Sequence, residues 1–193
     1  MSVGSRIRWA EAYEIAGEVA RRIDPLVARS KCVGSVRRRK DTVGDIEFVV
    51  EPFMHGDLLG NEEPVLEVVR ATMLELGDWV KGGPRMMQVT NLLKHKGLTL
   101  DLYLAHAPAA WGSTVAIRTG PADMGRYVVT ACRDFGYRHE NGYAQHLDTG
   151  ERVPTDTEEQ FFALASLPCL PPQQREQQAQ MAWAAYRMHG AGR

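Results

Sequence analysis

Three basic side chains, Arg37, Arg38 and Arg39, stand shortly before two carboxylates, Asp45 and Glu47, in the stretch GSVRRRKDTVGDIEF. In a strand, residues i and i+2 point to the same face, so Asp45 and Glu47 would stand side by side while Ile46 and Phe48 turn to the core. Like charges that close repel unless something positive lies between them. A divalent cation with oxygen ligands is the natural candidate, and Mg²⁺ commonly uses one or two carboxylates together with substrate phosphates. A third acid, Asp101, lies in the apolar run LTLDLYLA, where a carboxylate is costly unless it faces a partner or solvent. A neighbouring strand would align it with the pair. Taken alone, Asp45 and Glu47 suit the solvent-facing side of an edge strand equally well.

Gly34-Ser35 tips the balance toward chemistry. A Gly-Ser turn after a strand lets backbone N–H groups and a hydroxyl approach a phosphate closely, and arginines two to three residues later can pair with triphosphate oxygens. Basic groups for phosphates beside carboxylates for metal ions is the arrangement that phosphoryl or nucleotidyl transfer needs.

The elements that must position these groups follow from periodicity and turn residues. Arg8 to Arg22 carries apolar residues at helical spacing. Ser30 to Gly34 is a strand candidate, and Asp45 to Val50 is a second, β-rich run. A helix is expected from Pro64 to Leu76, ended by Gly77. Trp79 to Lys81, Met86 to Leu93 and Leu98 to Ala105 read as strands, with Lys94-His95-Lys96 at a hairpin tip. Beyond Pro108 the pattern becomes helical at Gly112 to Arg118 and Pro121 to Phe135. A hairpin follows, turned at Asn141-Gly142. Thr157-x-x-Gln160 resembles a capping box, and Pro171-Pro172 opens a last helix with Met181, Trp183 and Tyr186. The expected fold class is α+β: residues 1–107 form a small mixed sheet with helices, and residues 108–193 form a small α/β lobe.

Composition sets the outer bounds. With 193 residues, 44% hydrophobic and 24% charged, the chain has the make-up of an ordinary globular protein, and no stretch approaches the roughly 18 apolar residues of a membrane span. The start, MSVGSRIRWAEAYEIAG, lacks an apolar core of signal-peptide length, so a cytoplasmic protein with no membrane partner is expected. Cys32, Cys132 and Cys169 have no C-x-x-C spacing, which argues against a zinc site or a disulfide framework. A net charge of −1 gives no global sign of a nucleic-acid partner, so any DNA contact must come from local patches. The candidates are Arg39 and Lys40, Lys94 and Lys96, and Arg126 with Arg133. His106, His139 and His146 lack metal-ligand spacing, and Trp79, Trp111 and Trp183 suit packing.

The ordered set of motifs resembles the X-family DNA polymerases related to DNA polymerase beta. The palm of that family typically reads Gly-Ser-x-Arg-Arg and then Gly-Asp-x-Asp. Gly34-Ser35-Val36-Arg37-Arg38 and Gly44-Asp45-Ile46-Glu47 match it at the same ten-residue step from Ser35 to Asp45. Arg6-Ile7 upstream, and Asp101, Thr119-Gly120 and TEEQFFALASLPCLPPQQRE downstream, continue the likeness in order. The resemblance implies a nucleotidyltransferase-type palm followed by a thumb, in a minimal form without lyase or helix-hairpin-helix modules. It implies a monomeric, template-directed polymerase that adds dNTPs, or rNTPs, to gapped or primer-template DNA in repair. Two Mg²⁺ ions, or Mn²⁺, would be bound by Asp45, Glu47 and Asp101. Ser35, Arg38 and Arg6, with the turns at Gly34 and Gly44, would hold the phosphates, and Thr119 and Gly120 would lie against the sugar.

The departures matter as much. Glu47 stands where these polymerases usually carry Asp, and Ile117-Arg118 replaces two aromatics before Thr119-Gly120. Arg39 replaces a Gly, and Gly125 falls about where the family keeps an Asn near the base edge. A template-independent nucleotidyltransferase acting on a nucleic-acid end or another acceptor is therefore the alternative. A binding module whose chemistry has lapsed ranks last, since all three metal-ligand positions carry acids.

Overall fold

The computed structural model describes residues 6–56, 62–105, 110–140 and 142–189. His106, Pro108 and Asn141, and the side chains of Trp183 and Tyr186, fall outside the described residues. The chain forms two compact units, Met1–His106 and Ala107–Arg193. Among the described residues no helix is long and apolar enough to cross a membrane.

The first unit is mixed α/β. It opens with β1 (Ile7–Arg8), α1 (Trp9–Ile23), β2 (Val27–Cys32), a single helical turn α2 (Gly34–Arg37), β3 (Thr42–Val43) and β4 (Asp45–Pro52). It continues through β5 (Met54–Gly56), β6 (Glu62–Pro64), α3 (Glu67–Leu76), β7 (Asp78–Gly83), β8 (Met86–Thr90) and β9 (Thr99–Leu104). Five of these strands form one sheet in the order β2-β4-β9-β8-β7, in which only the central β4 and β9 run parallel.

Alternation along the strands separates the two faces of that sheet. Ile46, Phe48 and Val50 of β4, Leu100, Leu102 and Leu104 of β9, and Met87 and Val89 of β8 are buried in one core with both helices. From α1 come Ala12, Ile15, Ala16, Val19 and Ile23, spaced as one face of a helix, and from α3 come Val69, Met73 and Leu76. Burying a large aliphatic side chain stabilises a fold by roughly 1.5–3 kcal/mol, so this face anchors the sheet. The intervening residues, Asp45, Glu47 and Asp101 among them, must face the other way.

Three readings of this unit change. The strand expected at Ser30 to Gly34 lies at Val27–Cys32, and Gly34 opens the helical turn α2 instead. Pro64 does not begin a helix: it pairs with Met54 as the last residue of β6, and α3 starts at Glu67. Proline's fixed φ suits a sheet edge as well as a first helical turn, and the Val65 N–H donates to the Phe53 carbonyl to extend that edge. The run from Met86 also stops at Thr90, because Asn91, Leu93 and Lys94 take positive φ in a tight 3₁₀ turn.

The second unit contains α4 (Trp111–Thr119), α5 (Ala122–Asp134), β10 (Tyr137–Glu140), β11 (Tyr143–His146), β12 (Arg152–Val153), α6 (Glu158–Ala163) and α7 (Arg175–His189). Its core joins Met124, Val128 and Cys132 of α5 to Phe161 and Phe162 of α6 and Ala179 of α7. The capping box is present: the Gln160 N–H donates to Thr157 Oγ1 at 3.2 Å, and the Thr157 N–H donates to Gln160 Oε1 at 3.0 Å. Arg175, only 1% exposed, donates to Glu158 at 2.8 Å and to the Leu170 carbonyl at 2.8 Å, and its guanidinium lies 5.0 Å from the Phe162 ring. A buried charge is tolerated only when satisfied in this way.

His139 gives this unit a pH dependence. Its ring meets Phe161 edge-on at 5.6 Å, and its Nε2 is buried without a hydrogen-bond partner. Burial holds its pKa below the ordinary value of 6.5, with a backbone hydrogen bond at Gly142 opposing the shift. Between the lowered and the ordinary value the unfolded chain binds the extra proton, so stability falls as pH drops below about 6.5. Thermal melting at pH 7.5 and pH 5 is expected to show a larger loss for the parent than for His139→Asn, which has no titrating ring.

Candidate metal and phosphate site

The site is built where β2 ends and β4 begins. At Gly34 the chain leaves β2 with φ of +62°, a conformation glycine adopts at little cost. The Val33 N–H donates to the Glu47 carbonyl at 2.8 Å, which ties this turn to β4. The turn closes tightly: the Arg38 N–H donates to the Gly34 carbonyl at 3.1 Å, and the Lys40 N–H to the Ser35 carbonyl at 3.1 Å. Trp9 fixes it from the α1 side, its indole N–H donating to the Val36 carbonyl at 2.9 Å. The short β1–β3 ladder pairs Ile7 with Val43, and the Arg6 guanidinium donates to Thr42 Oγ1 at 3.1 Å and to its carbonyl at 2.9 Å.

These contacts bring six of the expected residues to one cleft. Arg6, Ser35, Arg38, Gly44, Asp45 and Glu47 line an open cavity of about 570 Å³, together with Gly97 and Thr99. Gly34 lies behind Glu47: a Cβ at position 34 would fall 1.7 Å from Glu47 Oε2. Gly44 lies beside Arg6, whose guanidinium nitrogen would come within 3.7 Å of a Cβ placed there.

The third acid is aligned by register. In the parallel pair, Glu47 lies directly opposite Asp101 and Asp45 opposite Thr99. One oxygen from each of Asp45, Glu47 and Asp101 can be chosen so that all lie within 4.8 Å of one another. Three hard oxygen donors at that separation fit a divalent cation such as Mg²⁺ or Mn²⁺. Two further observations agree with a charged ligand here. Burial and the nearby Asp101 hold the Asp45 carboxyl above its ordinary pKa, against the opposing pull of Arg38 and Arg6. Ser35 Oγ is buried in the cleft wall without a hydrogen-bond partner, and such orphaned hydroxyls are uncommon.

The remaining candidates are distributed more widely. Lys94 and Lys96 lie on the β8–β9 connection, which ends at the cleft-lining Gly97; the Gly97 N–H donates to Asn91 Oδ1 at 2.8 Å. Arg39 takes φ of +57° and its guanidinium lies 5.8 Å from the Trp9 ring, while Lys40 closes the turn by its backbone. Thr119, fully buried, and Gly120, at φ of +68°, end α4 in the second unit. Arg126, in the same unit, is exposed and pairs with Asp123 at 3.3 Å. Trp79 belongs to packing, its ring lying under the Arg70 guanidinium at 4.9 Å.

No protein-family model matches the chain, and no curated protein matches it significantly in sequence. The geometry therefore stands by itself. Residues that sequence reasoning passed over also reach the site: Gly97 and Thr99 line the cleft, and Gln88 and Tyr103 donate to Asp101. The one signal for Gln88 was a lone polar residue inside the strand MMQVT, which is too common to single out.

Proposed function

We propose that the chain is a palm-and-thumb nucleotidyltransferase of the X-family DNA polymerase type, adding dNTPs to a primer 3′-hydroxyl, with short-gap filling in DNA repair as its role. The observation that carries this reading is a juxtaposition at β4: Asp45 and Glu47 line one cleft with Ser35, Arg38 and Arg6, and Asp101, opposite Glu47 in register, brings a third carboxylate oxygen within 4.8 Å of theirs. Carboxylates alone would suit many metal-dependent activities; the adjoining basic and hydroxyl groups add a place for a triphosphate.

Divalent ions held by Asp45, Glu47 and Asp101 would lower the pKa of the primer hydroxyl and neutralise charge on the leaving pyrophosphate. Asp101 would accept the 3′-hydroxyl proton as the oxygen bonds to the α-phosphorus and the bond to pyrophosphate breaks. Ser35 would donate its orphaned hydroxyl to a phosphate oxygen, and Arg38 and Arg6 would pair with the terminal phosphates. Arg39, Lys40, Lys94 and Lys96 of the first unit and Arg126 of the second are the candidates for backbone contacts to DNA. A grip made of such contacts weakens steeply with salt.

The test is extension of a primer on single-nucleotide-gapped DNA with each dNTP and rNTP supplied singly, beside an untemplated single strand. Addition of the template-matched nucleotide, supported by Mg²⁺ or Mn²⁺ and lost in chelator, is the expected result. Addition regardless of template would leave the transfer chemistry standing and move the protein to the template-independent alternative. No addition with either metal, or full activity in chelator, would overturn the reading.

A further inference from the structure

Both oxygens of Asp101 accept hydrogen bonds, and the groups that donate them lie outside every motif described so far. In the antiparallel pairing of β8 and β9, Gln88 lies directly opposite Asp101. Its neighbours Met87 and Val89 are buried in the core on the other face, so alternation sends Gln88 to the acidic face. There its amide nitrogen donates to Asp101 Oδ1 at 2.5 Å. Tyr103, two residues beyond Asp101 on the same face, donates its hydroxyl to Oδ2 at 3.2 Å. Each oxygen of this carboxylate therefore has a protein donor.

We propose that Gln88 is a positioning residue for metal binding by Asp45, Glu47 and Asp101. The inference rests on reading those acids as a metal site, and extends it to a residue that touches neither metal nor substrate. Each carboxylate oxygen has two lone-pair directions, so a donor on one leaves the other for a cation. With Oδ1 tied to β8 and Oδ2 to Tyr103, the carboxylate cannot rotate about its last bond without losing both contacts. Its free lone pairs keep the orientation that lets Asp101 share an ion with Glu47, its partner in register. A neutral amide suits this task because it orients the carboxylate without setting a positive charge beside the cation, as lysine or arginine would. Partners of this kind are worth 10–100-fold in metal affinity at other sites.

The test is a Mn²⁺ titration of the full chain, with free ion measured by electron paramagnetic resonance, so that it is independent of any catalytic assay. Gln88→Met keeps the length of the side chain and removes the donor. It is expected to weaken Mn²⁺ binding about 10- to 100-fold, while the metal-free protein keeps its circular dichroism spectrum and melts close to the parent. Gln88→Asn, whose amide falls one methylene short, carries the same expectation should the first variant not fold. Affinity within about twofold of the parent in a folded variant would overturn the positioning role while the metal site stands, provided Asp45→Ala abolishes the parent's binding. Parent protein with no Asp45-dependent Mn²⁺ binding would overturn both.

Discussion

Asp45→Asn is expected to lower nucleotide addition at least about 1,000-fold, the loss of roughly 4 kcal/mol of transition-state stabilisation, while leaving the metal-free fold at least as stable as the parent. The two halves of this prediction have one cause. Asp45 is partly buried beside Asp101, and both features push its pKa upward more than Arg38 and Arg6 pull it down. A carboxyl whose folded-state pKa is raised favours folding below its ordinary pKa, and that contribution is lost as pH rises through the raised value. At neutral pH the ionised group therefore works against the metal-free fold, and a neutral amide of the same shape relieves it. The same substitution removes a charged oxygen ligand, so the gain in stability and the loss of metal binding arrive together. Melting with and without Mg²⁺ separates them: the parent should rise with Mg²⁺ by mass action and Asp45→Asn should not. A fall in melting temperature without metal would mean that Asp45 is engaged in favourable pairing, contrary to the balance of charges around it.

The sequence spoke most clearly where one element settles the matter by itself. The helical spacing of Trp9, Ala12, Ala16, Val19 and Ala20 is visible without knowing what packs against it, and α1 follows, although Tyr13 of the same run stays exposed. The alternation of Asp45, Ile46, Glu47 and Phe48 likewise sorts β4 into an acidic and an apolar side. Thr157 and Gln160 satisfy each other locally, so their capping box was legible too. Whatever depends on pairing between distant strands was not. That Asp101 faces Glu47 rather than Asp45 is a fact of register in the β4–β9 ladder, and a slip of one residue would turn its side chain to the apolar face. Gln88 reaches the acids by the same kind of fact in the next ladder. The polar strand Val27–Cys32 pairs with β4 on one side only, as an edge of the sheet, so its sequence VARSKC carries little apolar signal, and the strand expected at Ser30 to Gly34 begins three residues late and runs two past its end. Pro64 shows the opposite failure, a residue whose restricted φ fits two elements, with the choice made by pairing to Met54.

Gly34→Ala is the second substitution from which a large effect is expected, and it is selective for the site. Two penalties act at this position. The backbone sits at φ of +62°, where an L-residue with a Cβ pays about 1–2 kcal/mol. The new methyl would also lie 1.7 Å from Glu47 Oε2 and 2.7 Å from Glu47 Cδ, inside any permitted contact. Those atoms are the far end of a flexible side chain, whereas the next nearest, Glu47 Cβ, is already at 3.3 Å. Relief therefore comes from swinging the Glu47 carboxylate away, and the strand itself can stay. The stability cost should remain near the backbone penalty of about 1–2 kcal/mol, while Glu47 is withdrawn from the metal-binding cluster. Mn²⁺ affinity and nucleotide addition should fall by far more than the melting temperature implies. Coupling to Glu47 supplies the check. In a Glu47→Asp background the carboxylate ends one methylene sooner, so Gly34→Ala should cost less metal affinity there than in the parent, and the two effects should not add. Additive effects would place the origin of the defect in the backbone of the turn, and would mean that Gly34 serves chain direction alone rather than the space Glu47 occupies.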